Sequence, residues 1–187
     1  TVSKIAMAVS EQVEFFHSRP IAARYAVIYC DATYLNLRRD SVAKEALHVM
    51  LGITPEGNKE VLDYAIYPSE SAANYAEILQ GLKSRGLEEV LLFVSDGLVG
   101  LPDAVKSVFP RAQHQSCWVH LARCVSRMVR QKDRKEVLNA LKEVYRQKSK
   151  QQAQEALMSF LERYKKQYPR LFRIFKVTSS LFTFYDF

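Results

Sequence analysis

Two aspartates of this sequence follow apolar runs of β-forming residues. Asp31 comes directly after YAVIYC, and Asp96 comes after EVLLFVS, 65 residues further along the chain. Such runs are typical of strands covered on both faces, where an unpaired carboxylate is costly. Each aspartate is therefore expected to have a partner or to bind a cation. For one such residue alone, a solvated or backbone-bonded structural carboxylate is the ordinary explanation.

The two aspartates together predict a metal site. If both strands are central in one sheet, Asp31 and Asp96 converge at one sheet edge, at or beyond the ends of their strands. Two carboxylates held close together repel each other unless a hard cation lies between them, and oxygen ligands suit Mg²⁺ or Mn²⁺. A site of this kind supports two-metal phosphoryl transfer. The structural alternative remains open on these residues alone.

The elements that would position the two aspartates follow an α/β order. The segment SKIAMAVSEQVEFF predicts a leading helix with Ser3 as its N-cap. Three β-rich runs follow, YAVIYCDATYLNL, AKEALHVMLGITPEG and KEVLDYAIYPSE, and the turn at 55–58 joins the last two as a hairpin. We expect three consecutive antiparallel strands.

The next segments alternate between helix and strand. SAANYAEILQGLKSRG has one apolar face and ends at Gly86, a helix C-terminal signal. EEVLLFVSDG then predicts an apolar strand, LPDAVKSVF a short helix, and the region of RAQHQSCWV a short strand. From Leu121 onward the sequence is helical. The fold class predicted is α/β, a mixed sheet flanked by helices and followed by an all-helical region.

Basic residues are concentrated in the last third of the chain. Residues 121–176 contain 16 Lys or Arg and 5 Asp or Glu, whereas residues 1–120 contain 11 basic and 14 acidic residues. A concentrated basic face is typical of a nucleic-acid partner, because neutralised phosphates release counterions. An ordinary solvated helix surface is the alternative. The candidate DNA-binding residues are Arg127, Arg130, Lys132, Arg134 and Lys135.

The segment CWVHLARC contains a second set of possible ligands. Cys117 and His120 lie one helical turn apart, which favours a zinc interpretation, but a structural zinc site needs four ligands. Cys124 lies on nearly the same helical face, so packing in the core explains the pattern equally well. Cys117 and His120 are therefore secondary candidates.

Composition narrows the class of protein. The chain has 187 residues, 48% of them hydrophobic, and its apolar stretches are far shorter than a membrane helix requires. No secretory signal opens the sequence. Three cysteines form no paired framework, as expected in a reducing compartment. We expect a soluble cytoplasmic protein without a membrane partner.

Several motifs resemble the central part of bacterial insertion-sequence transposases of the mutator type. They are YCDATYL around Asp31, LGITPEGNKEVL, VSDGLVGLPDAVKSVFP around Asp96, CWVHLARC, and the closing FTFYDF. The resemblance extends over the whole chain. It implies a ribonuclease-H-like catalytic domain of the DDE type, in which the first and fourth strands present the first two catalytic aspartates.

The resemblance also assigns roles to residues. Asp31 and Asp96 become the first two metal ligands, with two Mg²⁺ or Mn²⁺ ions expected in the complete site. A Cys-x-x-His element recurs beside such active sites, so that His120 would orient DNA or a water molecule there. The third ligand, a glutamate, is expected beyond Phe187, because no glutamate of the helical region lies in a matching motif.

The resemblance therefore implies a fragment, inactive by itself, of a DNA transposase. The expected partners are the terminal inverted repeats of the element and target DNA, and the full-length protein would form a homo-oligomer at the bacterial nucleoid. We expect a leading helix and linker at 1–24, an incomplete catalytic core at 25–131 and a helical insertion at 132–187.

Two other functions compete with DNA cleavage and strand transfer. A ribonuclease-H-like nuclease or resolvase would hydrolyse DNA without joining it, although the long basic insertion is unlike a minimal nuclease. A non-catalytic DNA-binding module is the other alternative. Both aspartates argue against that module, since binding alone gains nothing from carboxylates that face DNA.

Overall fold

The computed structural model of the chain describes residues 2–38, 42–97, 100–178 and 180–187. It divides into two compact units. The first consists of Thr1–Phe93 and Leu98–Gln113, and the second of Val94–Gly97 and His114–Phe187. The three-part division expected from the sequence stays a prediction.

Helices and strands alternate as expected for an α/β chain. Within the described residues the strands are β1 Arg24–Arg38, β2 Val42–Ile53, β3 Lys59–Tyr67, β4 Glu89–Ser95 and β5 Gln113–Ser116. The helices are α1 Val2–Ser18, α2 Ala72–Ser84, α3 Leu101–Val108, α4 Trp118–Met128, α5 Arg134–Val144, α6 Lys150–Tyr164 and α7 Pro169–Val177, followed by a 3₁₀ turn at Thr183–Asp186.

The strands described form one sheet with the order β3-β2-β1-β4-β5. β2 pairs antiparallel with both β1 and β3, so the prediction of three consecutive antiparallel strands is confirmed. The turn between β2 and β3 lies where the sequence predicted it, and the Gly57 amide donates to the Thr54 carbonyl there. The predicted α/β class, a sheet flanked by helices with a helical region after it, is confirmed.

The core of the first unit lies under α2 and α3. The hydroxyl of Ser71 caps α2 by accepting a hydrogen bond from the Asn74 amide (3.1 Å), and Gly86 follows the helix with a φ of +108°, as its sequence predicted. The apolar face of α2 is buried: Tyr75, Ile78, Leu79 and Leu82. These side chains pack with the inward residues of the sheet in one hydrophobic cluster.

α1 is attached at its C-terminal end. It begins at Val2, so Ser3 lies inside the helix and the predicted N-cap is wrong. Near its other end, His17 Nδ1 lies 2.7 Å from one carboxylate oxygen of Asp63. The second carboxylate oxygen of Asp63 accepts a hydrogen bond from the Arg85 guanidinium (3.2 Å). Apolar side chains earlier in α1 are exposed: Ile5, Met7, Val9, Val13 and Phe15.

The core of the second unit is formed by α4 to α7. Apolar faces of these helices share one cluster, which includes Leu141, Leu157 and Phe175. The sequence predicted a helix through RLFRIFKVTSSLFTFY, but α7 ends at Val177. Long-range hydrogen bonds hold the following segment in another path, because the Leu181 carbonyl accepts from both the Gln115 amide and the Trp118 indole. Among the described residues, no helix is long and apolar enough to cross a membrane.

Candidate active site

Asp31 lies in the middle of β1. It pairs in register with Val49 of β2, and seven further residues of β1 continue the same antiparallel ladder to Arg38. The sequence predicted Asp31 at or beyond a strand end, and that prediction is wrong. The reason is non-local: β2 supplies hydrogen-bonding partners that extend β1 well past the apolar run.

Asp31 is also exposed, although Ile28 and Cys30 before it in β1 are buried. Ile28 and Cys30 are 0% and 2% exposed, respectively. Successive side chains of a strand point to opposite faces, so the carboxylate next to Cys30 is directed away from the core and stays hydrated. Burial raises the pKa of the Cys30 thiol, and the charge of Asp31 raises it further. Cys30 is therefore a protonated core residue.

Asp96 follows β4 directly, as the sequence predicted. Phe93 and Val94 are buried, and Asp96 itself is half-buried. β1 and β4 are neighbours in the sheet order. Asp31 is thus on the first strand and Asp96 just past the fourth, the two strands that the family resemblance implied. Leu98 and Val99 of the motif around Asp96 lie outside the described residues.

Two hydrogen bonds fix the end of β4, one against the start of α4 and one against β5. The Cys117 amide donates to the Ser95 carbonyl (2.7 Å). The Ser95 hydroxyl lies 2.9 Å from Nε2 of His114, so this histidine has a structural partner. Because Cys117 is the N-cap of α4, the first contact positions the first turn of that helix beside Asp96.

His120 is in this first turn of α4, and it is half-buried. A ligand atom of His120 lies within 4.8 Å of a carboxylate oxygen of Asp96. This pair therefore places an imidazole nitrogen and a carboxylate where one cation can contact both. Cys117 is 8% exposed and caps the helix, and within the described residues it joins no group of three possible metal ligands.

The sequence indicated His120 only as a secondary candidate, and the structure gives it a more central place. The signal was present in the sequence as the Cys-x-x-His spacing, but that spacing predicts only a shared helical face. What brings His120 to Asp96 is the backbone hydrogen bond between Cys117 and Ser95, which no local pattern shows.

The five basic candidates lie at the end of α4 and the start of α5. Arg130 donates to Asp133 (3.0 Å) and to the Tyr168 hydroxyl (3.2 Å), and Arg134 donates to the Ser126 carbonyl (3.1 Å). These two arginines therefore have contacts within the protein. The other three, Arg127, Lys132 and Lys135, are exposed and form no ion pair with the described residues. A DNA-binding role for all five stays a prediction.

Comparison with known proteins places these features in a family. The family model for "Transposase, Mutator family" matches residues 1–187, the full length of the chain. The chain belongs to this family.

Two insertion-sequence transposases are similar to this chain along its whole length. The transposase for insertion sequence element IS905 of Lactococcus lactis subsp. lactis (strain IL1403) is 39% identical over 187 residues, which are 100% of this chain and 48% of that protein. The transposase for IS1201 of Lactobacillus helveticus is 38% identical, again over 100% of this chain, and 51% of its length is covered. The chain thus spans about half the length of these relatives.

One solved structure is a distant neighbour of this Mutator family chain. The catalytic domain of Mos1 mariner transposase is 14% identical, with a TM-score of 0.31 over 87% of this chain and 86% of that one.

Proposed function

We propose that this Mutator family chain is the central catalytic region of an insertion-sequence transposase, which cuts DNA at the ends of the element and joins them to target DNA. The observation that carries the proposal is the pairing of Asp96 with His120 directly after β4, in a chain whose whole length matches the family. A half-buried carboxylate beside an imidazole suits metal-assisted chemistry better than a packing role.

We further propose that Asp31 joins Asp96 and His120 as ligands of a divalent cation. Two carboxylates and one imidazole are a donor set able to hold such an ion. Oxygen donors favour Mg²⁺ or Mn²⁺, while the single nitrogen donor is compatible with Mn²⁺. A bound pair of such ions stabilises the attacking and leaving oxygens of phosphoryl transfer. The third carboxylate predicted for the full-length protein, a glutamate, would complete the set.

Each residue has a separate task in this proposal. The exposed Asp31 supplies a carboxylate that would hold a cation on the side of β1 open to solvent, and that cation would offset the repulsion between the carboxylate and a DNA phosphate. Asp96 is fixed by β4 and by the start of α4, so its carboxylate needs little reorganisation. His120 either contributes its nitrogen as a ligand or holds a proton close to the scissile phosphate. In strand transfer, a 3′ hydroxyl oxygen forms the new bond to phosphorus, the old phosphorus–oxygen bond breaks, and the hydroxyl proton must be accepted locally.

DNA is the proposed partner, because the concentration of basic residues in α4 to α7 and the membership of the Mutator family both favour it. Arg127, Lys132 and Lys135 are exposed and form no ion pair with the described residues, although Arg127 Nε donates to the Arg123 carbonyl (3.4 Å). Arg130 and Arg134 have protein contacts that position the start of α5. Homo-oligomerisation of the full-length protein, which would hold both ends of the element together, stays a prediction.

The test uses the full-length transposase with a labelled DNA substrate that carries the element end. We expect Asp31→Asn and Asp96→Asn each to abolish both cleavage and joining while DNA binding persists. Asp103→Asn is the matched control, because Asp103 is an exposed carboxylate on α3. Parental cleavage by the Asp31→Asn protein would contradict the proposal. Cleavage without any joining by the parental protein would instead favour the nuclease alternative.

A further inference from the structure

A groove runs between α4 and α5 in the second unit, and no function has been assigned to it so far. Its volume is about 580 Å³, within the range of pockets that hold small organic ligands. Its surface is mainly apolar and aromatic, with contributions from Trp118, Ala122, Leu138 and Tyr145.

The aromatic rings of the groove are held in place before any ligand arrives. The Trp118 and Tyr145 rings are 5.1 Å apart between centroids. The Trp118 indole donates to the Leu181 carbonyl (2.8 Å), and its ring also packs against Phe182. Since both side chains are half-buried, each has one part anchored in the core and another part that faces the groove. A ligand ring that stacks here meets a fixed platform.

The rim of the groove is positively charged. Arg123 and Arg127 are exposed and line the groove, and neither forms an ion pair with the described residues. No carboxylate is among the residues that line it. The Tyr145 hydroxyl has no hydrogen-bond partner among the described residues, so it is available to donate. The Arg127 Nε does donate to the Arg123 carbonyl (3.4 Å), but neither arginine has a carboxylate partner among the described residues. The groove therefore combines flat apolar surfaces with cations whose charge is not neutralised there, and it fits a flat, aromatic and anionic ligand.

We propose that this groove binds a short single-stranded segment of DNA. Bases would stack on Trp118 and Tyr145, and the phosphates between them would contact Arg123 and Arg127. This inference rests on the proposed action of the chain on DNA. It adds that the strand separates from its complement next to α4, the helix that also presents His120.

A duplex fits the same groove poorly. The bases of a duplex are already stacked and paired, so mainly phosphates would face the protein. Phosphates would then cover the apolar and aromatic side chains of the groove without making favourable contacts with them. In a single strand the base faces are exposed, and stacking on an aromatic side chain is favourable for every base. Trp118 and Tyr145 therefore favour single-stranded over duplex DNA, whereas Arg123 and Arg127 could contact the phosphates of either form.

The experiment uses Trp118 itself as the probe, because it is the single tryptophan of the chain. The chain is titrated with a short oligo(dT) single strand in buffer that contains EDTA, and Trp118 fluorescence is recorded. We expect saturable quenching as a base stacks on the indole. A duplex with the same number of phosphates should bind without comparable quenching.

Variants separate stacking from charge. Tyr145→Leu keeps an apolar side chain but removes the ring, and we expect at least about fivefold weaker binding of oligo(dT), the effect of losing one stacked base. Arg123→Gln with Arg127→Gln should weaken binding and reduce its dependence on salt. The control pair is Arg170→Gln with Arg173→Gln, which removes the same charge from exposed positions on α7.

Two results would overturn the inference: saturated binding of oligo(dT) without a change in Trp118 fluorescence, or equal competition by duplex and single strand. Either result leaves the proposed catalysis intact, because EDTA makes this assay independent of the metal ligands. The two proposals can also fail in the other order. If oligo(dT) quenches Trp118 fluorescence but the Asp31→Asn full-length protein still cleaves DNA, the groove is supported and the proposed catalytic residues are contradicted.

Discussion

Asp31 and Asp96 present their carboxylates in different settings, and this difference matters for metal binding. Asp31 is exposed in the middle of β1, whereas Asp96 is half-buried after β4, where the Cys117 amide donates a hydrogen bond to the carbonyl of the preceding residue, Ser95. The hydrated carboxylate binds weakly by itself, and the fixed one is preorganised. A cation that needs both would therefore bind only to the folded chain.

The first prediction concerns this metal dependence. Millimolar Mn²⁺ or Mg²⁺ should raise the melting temperature of the chain, because a ligand that binds only the folded state stabilises it, by about 1.4 kcal/mol at ten times its Kd. Asp31→Asn and Asp96→Asn should each remove this shift, and Asp103→Asn should keep it. Differential scanning calorimetry measures the three shifts. An unchanged shift in the Asp96→Asn protein would mean that the ion binds elsewhere.

His48 is the second residue whose setting has consequences. Its side chain in β2 is 0% exposed. Neither ring nitrogen has a hydrogen-bond partner among the described residues, and the ring packs edge-on against Tyr67 and Tyr75. Burial lowers the pKa of His48 from its ordinary value of 6.5, so the folded state keeps this imidazole neutral.

The second prediction follows from the sign of that pKa shift. Below about pH 6.5 the unfolded chain binds a proton at His48 that the folded chain does not, so stability is complete above this pH and is lost as the pH falls, by at most about 1.4 kcal/mol per pH unit. His48→Phe should reduce this loss. Urea unfolding at several pH values from neutral to mildly acidic measures it. Identical pH dependence in both proteins would exclude His48 as the source.

At the scale of elements, close packing between side chains of neighbouring strands limits what the first unit tolerates. Gly52 in β2 lies directly under the Tyr25 ring, and an added Cβ would be 2.6 Å from that ring. Gly81 in α2 has open space instead, with no atom within 4 Å of the position of a Cβ. Two glycines of the same unit therefore serve opposite roles: one is required by packing, and the other only weakens a helix.

The third prediction compares these glycines. Gly52→Ala should destabilise the chain by about 1–3 kcal/mol, because Tyr25 and Leu62 must move from well-packed positions. Gly81→Ala should stabilise it by up to about 1 kcal/mol through higher helix propensity. Thermal unfolding followed by circular dichroism measures both. A neutral Gly52→Ala variant would show that Tyr25 has room to shift.

The loop between α4 and α5 is another element that tertiary contacts position. Asp133 accepts hydrogen bonds from Tyr168, Arg130 and Gln167. The bond from the Tyr168 hydroxyl, with the help of Arg130, lowers the pKa of Asp133. The carboxylate thus ties this loop to the start of α7, and it directs Arg130 toward the protein rather than toward a phosphate.

At the scale of the whole molecule, charge separates along the sequence. The chain has a net charge of +7, and its excess of basic residues lies in the segment that forms α4 to α7. Several of these residues have no acidic partner among the described residues. A duplex should therefore be attracted without regard to its sequence, in addition to any single strand in the groove.

The fourth prediction concerns this duplex binding. Affinity should fall steeply as salt rises, and replacing Arg127, Lys132 and Lys135 together by Gln should reduce the slope of log K against log salt by about 2.7 if each contacts one phosphate. The control replaces Lys4, Lys106 and Arg111 by Gln, which changes the net charge equally at exposed positions of the first unit. Fluorescence anisotropy with labelled duplex measures the slopes. Equal slopes in both triple variants would place the duplex surface elsewhere.

The sequence by itself determined the order of elements, the hairpin at residues 55–58, the buried face of α2 and the position of Asp96 after a strand. These features depend on local periodicity and turn chemistry, which a single segment encodes. Its motifs also indicated the family. Only the tertiary structure decided that His120 lies beside Asp96, that His48 is buried and that α7 stops at Val177. Each of these depends on hydrogen bonds or packing between residues far apart in the chain, such as Cys117 with Ser95 and Trp118 with Leu181, and no local pattern contains that information.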